Sequence, residues 1–330
     1  MTGPTPLPSV EEPVDDGRVG VYVHLPFCER ICPYCDFAVV AARVLPSDLE
    51  ERYVDALLRE LEARRADFAG RGLASLYFGG GTPSLFRPAS IARLVEAVRM
   101  VFPSAEGEAV ETTLELNPST IEHERLPGFR SAGVDRLSIG VQSFQDSLLK
   151  QLGRAHRSPV VWETLRAARA AGFDNVSLDL IFAVPGQTLE DLERDLAALI
   201  DFEPEHVSTY ELTLEPDTPF GRAAAKGRIA RFDEDRAVDM IEAIESRLDR
   251  AGYRRYEISN HARAGRRARH NVRYWERQAV LALGMGAHSF EPRTAEHPHG
   301  RRRANPRTLD AWLRAVEVDP ARAGEEEIPS

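Results

Sequence analysis

The chain has 330 residues and a formal net charge of −10, with 43% hydrophobic and 28% charged residues. This balance is typical of a globular protein that can bury one large core. The negative charge argues against a general nucleic-acid binder and against binding to anionic membranes. The sequence contains no run of 18 apolar residues and therefore no predicted membrane span.

Residues 1–18 are rich in proline, aspartate and glutamate, and they lack the basic start and apolar centre of a secretion signal. They are predicted to form a disordered leader, followed by a folded region over residues 19–215 and a C-terminal domain over residues 216–330. All three cysteines lie in one short segment, which favours metal binding over disulfides in a reducing compartment. These features together predict a cytoplasmic protein.

Short strand-like runs alternate with helical segments up to about residue 214. Helix starts are predicted from capping residues at Ser47, Ser158 and Thr188, and a long helix is predicted over Asp233–Ala251. Repeated strand–helix units imply a parallel sheet with right-handed crossovers, arranged as a doubly wound sheet or an open partial barrel. The predicted strands are Val19–Leu25, Ser75–Gly79, Thr112–Leu116, Arg136–Gly140, Val176–Phe182 and Val207–Leu212.

The cysteines follow the first predicted strand with the spacing C-x3-C-x2-C, at Cys28, Cys32 and Cys35. Loops at the carboxyl ends of parallel strands are where α/β folds build their sites. Soft thiolates favour zinc, copper(I) or iron–sulfur clusters. Structural zinc usually takes four ligands, so His24 or Asp36 would have to complete a zinc site.

A [4Fe–4S] cluster fits three thiolates better, because it leaves one iron open to an outside ligand. The spacing, with the aromatic Tyr34 before the last cysteine, resembles the signature of the radical S-adenosylmethionine (SAM) superfamily. In that chemistry SAM chelates the open iron, and an electron from the cluster cleaves SAM to a 5′-deoxyadenosyl radical.

Polar residues stand at or just beyond the ends of later predicted strands. They are Glu115, Gln142, Arg154 and Asp179, and a glycine-rich turn, Gly79–Ser84, follows the second strand. Carboxylates suit ribose hydroxyls, while arginine and glutamine suit the carboxylate of a methionine moiety. The alternatives are ion pairs on strand faces for the two carboxylates, loop caps for Gln142 and Arg154, and a plain tight turn for the glycines.

Together these motifs resemble the oxygen-independent coproporphyrinogen dehydrogenase (HemN-like) family and, within it, the heme-chaperone branch, HemW. The resemblance runs from about Val19 to Trp312. It implies an α/β fold, an incomplete (β/α)6 barrel with a mixed α/β C-terminal extension, and a SAM-coordinated [4Fe–4S] cluster. It assigns the SAM contacts to nine residues: Tyr22, Tyr34, Gly80, Gly81, Thr82, Glu115, Gln142, Arg154 and Asp179.

Two features favour the chaperone branch. The dehydrogenase has a fourth cysteine two residues after the third, where this sequence has Phe37. The chaperone branch has a His-Asn-x-x-Tyr-Trp motif, which this sequence carries at His270–Trp275. Imidazole is a common axial ligand of heme iron, and aromatic side chains pack well against a porphyrin. The alternative is a packing junction in which His270 makes satisfied hydrogen bonds.

The resemblance therefore predicts a heme chaperone that binds heme through His270 and delivers it to an acceptor protein. The sequence leaves the acceptor open, and a homodimer is a candidate assembly. The leading alternative is a coproporphyrinogen III dehydrogenase. A radical SAM enzyme acting on nucleic acid or protein is disfavoured by the acidic charge. Because the family usually continues into a small helical region after this point, residues 216–330 are expected to form a shortened C-terminal domain.

Overall fold

The computed structural model describes residues 14–105, 107–294, 297 and 299–327. Most of the predicted leader, residues 1–13, lies outside this part of the chain. The last residues of the leader belong to the folded region, however, because two of their carboxylates pair with arginines of that region. Asp15 pairs with Arg71 at 2.5 Å. Asp16 pairs with Arg273 at 2.9 Å.

The described residues form strands and helices that follow the predicted alternation. The strands are β1 (Arg18–Leu25), β2 (Phe27–Cys28), β3 (Val40–Ala41), β4 (Gly72–Gly80), β5 (Glu111–Leu116), β6 (Arg136–Gln142), β7 (Val176–Phe182), β8 (His206–Glu211), β9 (Arg254–Arg255), β10 (Asn260–Ala262), β11 (Val280–Leu283), β12 (His288–Glu291), β13 (Arg301–Ala304) and β14 (Glu325–Glu327). The helices are α1 (Ser47–Arg64), α2 (Pro88–Val101), α3 (Thr120–Ser131), α4 (Asp146–Gln151), α5 (Ser158–Ala170), α6 (Leu189–Phe202), α7 (Pro219–Ala225), α8 (Glu234–Arg250), α9 (Arg269–Trp275) and α10 (Leu309–Val318).

Six parallel strands form the centre of the sheet in the order β1-β4-β5-β6-β7-β8. These are the six predicted strands in chain order, without the reversal of order that defines a doubly wound sheet. The fold is therefore the incomplete (β/α)6 barrel. Its apolar core lies between the sheet and the surrounding helices, and it includes Val21, Phe78, Leu137 and Leu178.

The C-terminal residues extend both edges of this sheet. On one side β11 pairs in parallel with β1, and β12, β13 and β14 follow in antiparallel order. On the other side β10 pairs antiparallel with β8, and β9 with β10. The buried carboxylate of Glu60 on α1 accepts hydrogen bonds from the Gly284 amide, Asn305 and Trp312. The C-terminal extension is thus mixed α/β, while its division from the barrel at residue 215 stays a prediction.

The predicted helix caps are confirmed only at α6. Thr188 and Asp191 form a reciprocal capping box there. Ser47 and Ser158 are instead the first residues of α1 and α5, and neither helix has a side-chain cap. The preceding residues adopt the extended cap conformation, and Glu50 hydrogen-bonds to the start of α2 rather than to its own helix. None of the described helices is long and apolar enough to cross a membrane.

Candidate functional site

A cavity of about 520 Å³ runs from the cysteine loop into the barrel. The cavity wall formed by the strands is polar. Glu115 is paired in register with Ser138 on the neighbouring strand, and Asp179 with Ser208. Ten of the predicted site residues line this one cavity: Cys28, Cys32, Tyr34, Cys35, Gly80, Gly81, Glu115, Gln142, Arg154 and Asp179.

The cysteine loop is held at the cavity mouth by the short pairing of β2 with β3. The Cys35 amide donates to the Cys32 carbonyl at 3.0 Å, which closes a tight turn between two of the thiols. Burial raises the pKa of the Cys28 thiol to about 11 and also raises the pKa of Cys35. The guanidinium of Arg154 donates to Cys32 Sγ at 3.4 Å. Metal binding requires thiolates, so bound iron would have to supply most of the positive charge that stabilises them.

The donor set, three thiols with His24 engaged elsewhere, suits a cluster that leaves one iron open. Within the described part of the chain, no three His, Cys, Asp or Glu side chains converge closely enough to hold one metal ion. His24 is also engaged elsewhere, because its ring nitrogens hydrogen-bond to the Tyr22 hydroxyl and the Ala38 carbonyl. A cubane is larger than one ion, so its thiolates lie farther apart. Three thiols that line a common cavity suit that geometry.

The two lumen carboxylates accept hydrogen bonds from neutral donors, and with the residues that the structure describes they form no strand-face ion pairs. Glu115 accepts from the Tyr77 hydroxyl at 2.7 Å and from the Gly80 amide at 3.1 Å. Asp179 accepts from Ser138 at 3.0 Å and from Ser177 at 3.3 Å. Burial raises the pKa of Glu115 to about 7 and also raises the pKa of Asp179. Both carboxylates remain close to a cavity into which hydroxyl donors of a ligand could reach.

Arg154 and Gln142 present unused polar atoms near the cavity. The Arg154 guanidinium donates to the Gly140 carbonyl at 3.1 Å and also to Asn117, yet its buried Nε has no partner among the described residues. Gln142 has a φ of 65°, a conformation that is rare outside glycine, and its buried Oε1 is likewise unpaired. Unsatisfied buried polar atoms at a cavity are consistent with a ligand that completes them.

Asn117 was not among the predicted site residues. It lines the cavity, bonds to Arg154 and donates to the Thr82 hydroxyl at 2.8 Å. A signal was present in the sequence, because Asn117 directly follows β5, at the carboxyl end of the strand that carries Glu115. Thr82 itself does not line the cavity; it supports the cysteine loop through its amide, which donates to the Phe27 carbonyl at 2.8 Å.

Gly81 lies directly beneath the cysteine loop. Its amide donates to the Leu25 carbonyl at 2.9 Å. A Cβ on this residue would stand 2.6 Å from the Pro26 carbonyl and 2.7 Å from that of Phe27. The glycine is therefore required for close packing of two backbones, in addition to any approach of a ligand.

His270 and Tyr22 lie deeper, in the barrel wall. The His270 ring is 2% exposed and stacks on Tyr77 with 5.2 Å between ring centroids. Its Nδ1 hydrogen-bonds to Ser75 at 2.9 Å, and its Nε2 hydrogen-bonds to Tyr274 at 3.1 Å. Burial lowers the pKa of His270 to about 3. In this conformation neither ring nitrogen is free to bind iron, which is the arrangement expected of a packing junction.

Residues 22–199 match the radical SAM superfamily. Over 270 residues the chain is 37% identical to the heme chaperone HemW of Bacillus subtilis, covering 82% of this chain and 70% of that protein. It is 40% identical over 275 residues to the heme chaperone HemW of Haemophilus influenzae, with the same coverage. The chain belongs to the HemW family of radical SAM proteins.

A solved structure supports the same fold for this HemW family member. Coproporphyrinogen III oxidase (HemN) from Escherichia coli superposes with a TM-score of 0.78 over 95% of this chain and 72% of that chain, at 24% identity. The predicted family and fold are thus confirmed. Membership of the superfamily means that the protein uses SAM and a [4Fe–4S] cluster, and the polar cavity beside three thiols fits both.

Proposed function

We propose that this protein is a heme chaperone, which binds heme and transfers it to an acceptor protein. Phe37 carries the proposal: it stands two residues after the third cysteine, where the dehydrogenase has a cysteine, and its ring is 72% exposed. The heme chaperones HemW of Bacillus subtilis and Haemophilus influenzae, each of which matches 82% of the chain, support the same choice. We place its action in the cytoplasm, with an acceptor protein as partner and a homodimer as its candidate assembly.

We also propose that Cys28, Cys32 and Cys35 hold the cluster and that SAM occupies the cavity beside it. The bound cluster supplies the electron needed to cleave the sulfonium bond of SAM. The Glu115 and Asp179 carboxylates would accept from ribose hydroxyls, and these hydrogen bonds are strongest while the carboxylates are ionised. The proposed SAM contacts are Tyr34, Gly80, Gly81, Glu115, Gln142, Arg154 and Asp179 directly, with Tyr22 and Thr82 supporting the cavity wall and the cysteine loop.

The heme contact is proposed at the exposed part of the His270–Trp275 motif. The side chains of Tyr274 and Trp275 are 45% and 54% exposed, whereas His270 is buried beneath them. An exposed indole offers a flat apolar surface for a porphyrin. Axial ligation by His270 would require α9 to move and the hydrogen bond at the ligating ring nitrogen, Nε2 to Tyr274 or Nδ1 to Ser75, to break. We therefore assign heme packing to Trp275 and support of α9 to His270.

The function is tested by comparing heme binding with porphyrinogen oxidation. Protein reconstituted anaerobically with iron and sulfide is titrated with heme, and the expected stoichiometry is about one heme per chain, as for a single site. The same preparation is incubated with coproporphyrinogen III, SAM and a strong reductant. No protoporphyrinogen should form. Multiple turnovers in that assay would instead identify the dehydrogenase, and a lack of heme binding would reject the chaperone role.

Trp275→Ala is expected to weaken heme binding by about tenfold, the loss typical of one aromatic contact. Heme titration followed at the Soret band measures the change. Met100→Ala is the control, because Met100 is 71% exposed on α2, outside the motif, and it should bind heme normally. His270→Ala should lower the melting temperature while leaving the Soret maximum in place. A shifted Soret maximum in His270→Ala, with normal binding in Trp275→Ala, would make His270 the iron ligand after all.

A further inference from the structure

Arg136 lies at the deep end of the cavity, away from the cysteine loop. It is the first residue of β6, and Gln142 ends the same strand near the mouth. Gln142 is six positions after Arg136 along the strand, which corresponds to a separation of roughly 20 Å. Both residues line the same cavity, together with Asn271 of α9 and His206 of β8. The cavity therefore continues past the residues proposed to bind SAM.

The Arg136 guanidinium is buried, and not all of its N–H donors have a hydrogen-bond acceptor among the described residues. The residue is 2% exposed. Of its five N–H donors, the hydrogen bond that the structure places is a long one from Nη1 to Thr113 Oγ1, at 3.5 Å. Its buried Nε has no partner in the described part of the chain. A buried cation without an ion pair is costly, so an anion at this point would be strongly favoured.

Among the described residues, no nearby carboxylate contacts Arg136 as its counter-ion. Glu115 is engaged by Tyr77 and the Gly80 amide, and Asp179 by serine hydroxyls. Both carboxylates are within electrostatic range of Arg136, whose charge acts to lower their pKa values, but among these described lumen residues neither contacts it as an ion pair. His206, on the neighbouring wall, hydrogen-bonds to Ser177 and Tyr256 through its two ring nitrogens. Burial and the nearby Arg136 charge keep the pKa of His206 low, so this ring adds no second charge.

We propose that Arg136 binds the oxyanion of a second small ligand, a carboxylate or a phosphate, that shares the cavity with SAM. A planar guanidinium matches both groups because it can donate two parallel hydrogen bonds to them. The amide of Asn271 lines the same end of the cavity and offers a further donor. This subsite is separate from the heme contact proposed on the exposed face of α9. It depends on the proposed SAM site only through its neighbouring position.

The test uses the full chain with its cluster reconstituted and SAM at saturation. Succinate and inorganic phosphate are each titrated by calorimetry at constant ionic strength, and at least one should bind at about one site per chain. Arg136→Met should weaken that binding by on the order of tenfold to a hundredfold, the range for a charge-assisted hydrogen bond. Arg64→Met is the matched control, because Arg64 is also buried, at 1% exposure, but pairs with Asp67 and lies outside the cavity.

Asn271→Leu keeps the guanidinium and changes only the cavity wall. This variant therefore tests anion binding if Arg136→Met does not fold. It should weaken the same anion while leaving SAM binding intact. Preference for succinate would identify an organic carboxylate, and preference for phosphate a phosphorylated ligand. No anion binding to the unmodified protein would overturn the proposal. Displacement of SAM by the anion would also overturn it, since that result places the anion at Arg154.

Discussion

Cys32→Ala is expected to abolish the iron–sulfur cluster. Anaerobically reconstituted protein should fall from about four irons per chain to almost none, because three thiolates leave no spare ligand. The sequence contains no fourth cysteine that could replace the lost one. In this structure Cys32 also accepts a hydrogen bond from Arg154, so the loss should reach the SAM site as well. Iron and sulfide analysis, with the visible charge-transfer absorption, measures the effect.

Phe37→Ala is the matched control for this experiment. Phe37 lies in the same loop and lines the same cavity, but its exposed ring offers no ligand to iron. This variant should keep a full cluster. Full iron content in Cys32→Ala would show that Cys32 is not a ligand. Stoichiometric zinc without iron uptake, in unmodified protein purified without oxygen, would favour the mononuclear alternative.

The presence of the six barrel strands could be predicted from the sequence because they are nearly continuous apolar runs or loose alternations, but their order could not, since the same pattern also fits a doubly wound sheet. Such runs are typical of parallel strands covered on both sides, and β7 was predicted at its observed bounds, Val176–Phe182. The cysteines, Glu115 and Asp179 could be grouped for a related reason. Neighbouring parallel strands bring the side chains of one face, and the loops at their carboxyl ends, to one lumen, whatever the distance between them in the chain.

Other features depend on contacts that no local pattern encodes. Arg136 looks like an ordinary strand start, and only the assembled lumen shows that its guanidinium is buried and that its Nε has no partner among the described residues. The burial of His270 depends on α9 packing against Ser75 of β4, 195 residues earlier in the chain, and against Tyr22 of β1, which is earlier still. Asp16 belongs to the fold because Arg273 reaches it, although its surroundings have the composition of a leader. For His270 and Asp16, the contacting residues are distant in sequence.

Gly81→Ala is expected to impair both SAM binding and cluster assembly. A methyl group at this position would meet the backbone of Pro26 and Phe27 at 2.6–2.7 Å, and backbone cannot rotate away as a side chain can. The strain should lower the free energy of unfolding by about 1–3 kcal/mol, as overpacking does. It should also displace the loop that carries Cys28, which immediately follows Phe27. Iron content, and the change that SAM causes in the cluster's paramagnetic resonance spectrum, should both decrease.

Gly72→Ala is the control for the general cost of losing a glycine in β4. Gly72 begins the strand that Gly80 ends, and its added methyl would meet only the Pro103 carbonyl, at 3.3 Å. This variant should keep its cluster and its response to SAM. The two roles open to Gly81 can then be separated. A variant that keeps all its iron but no longer responds to SAM would show that Gly81 serves the approach of the ligand. Loss of both would show that the glycine turn first holds the cysteine loop in place, and that SAM binding depends on that loop.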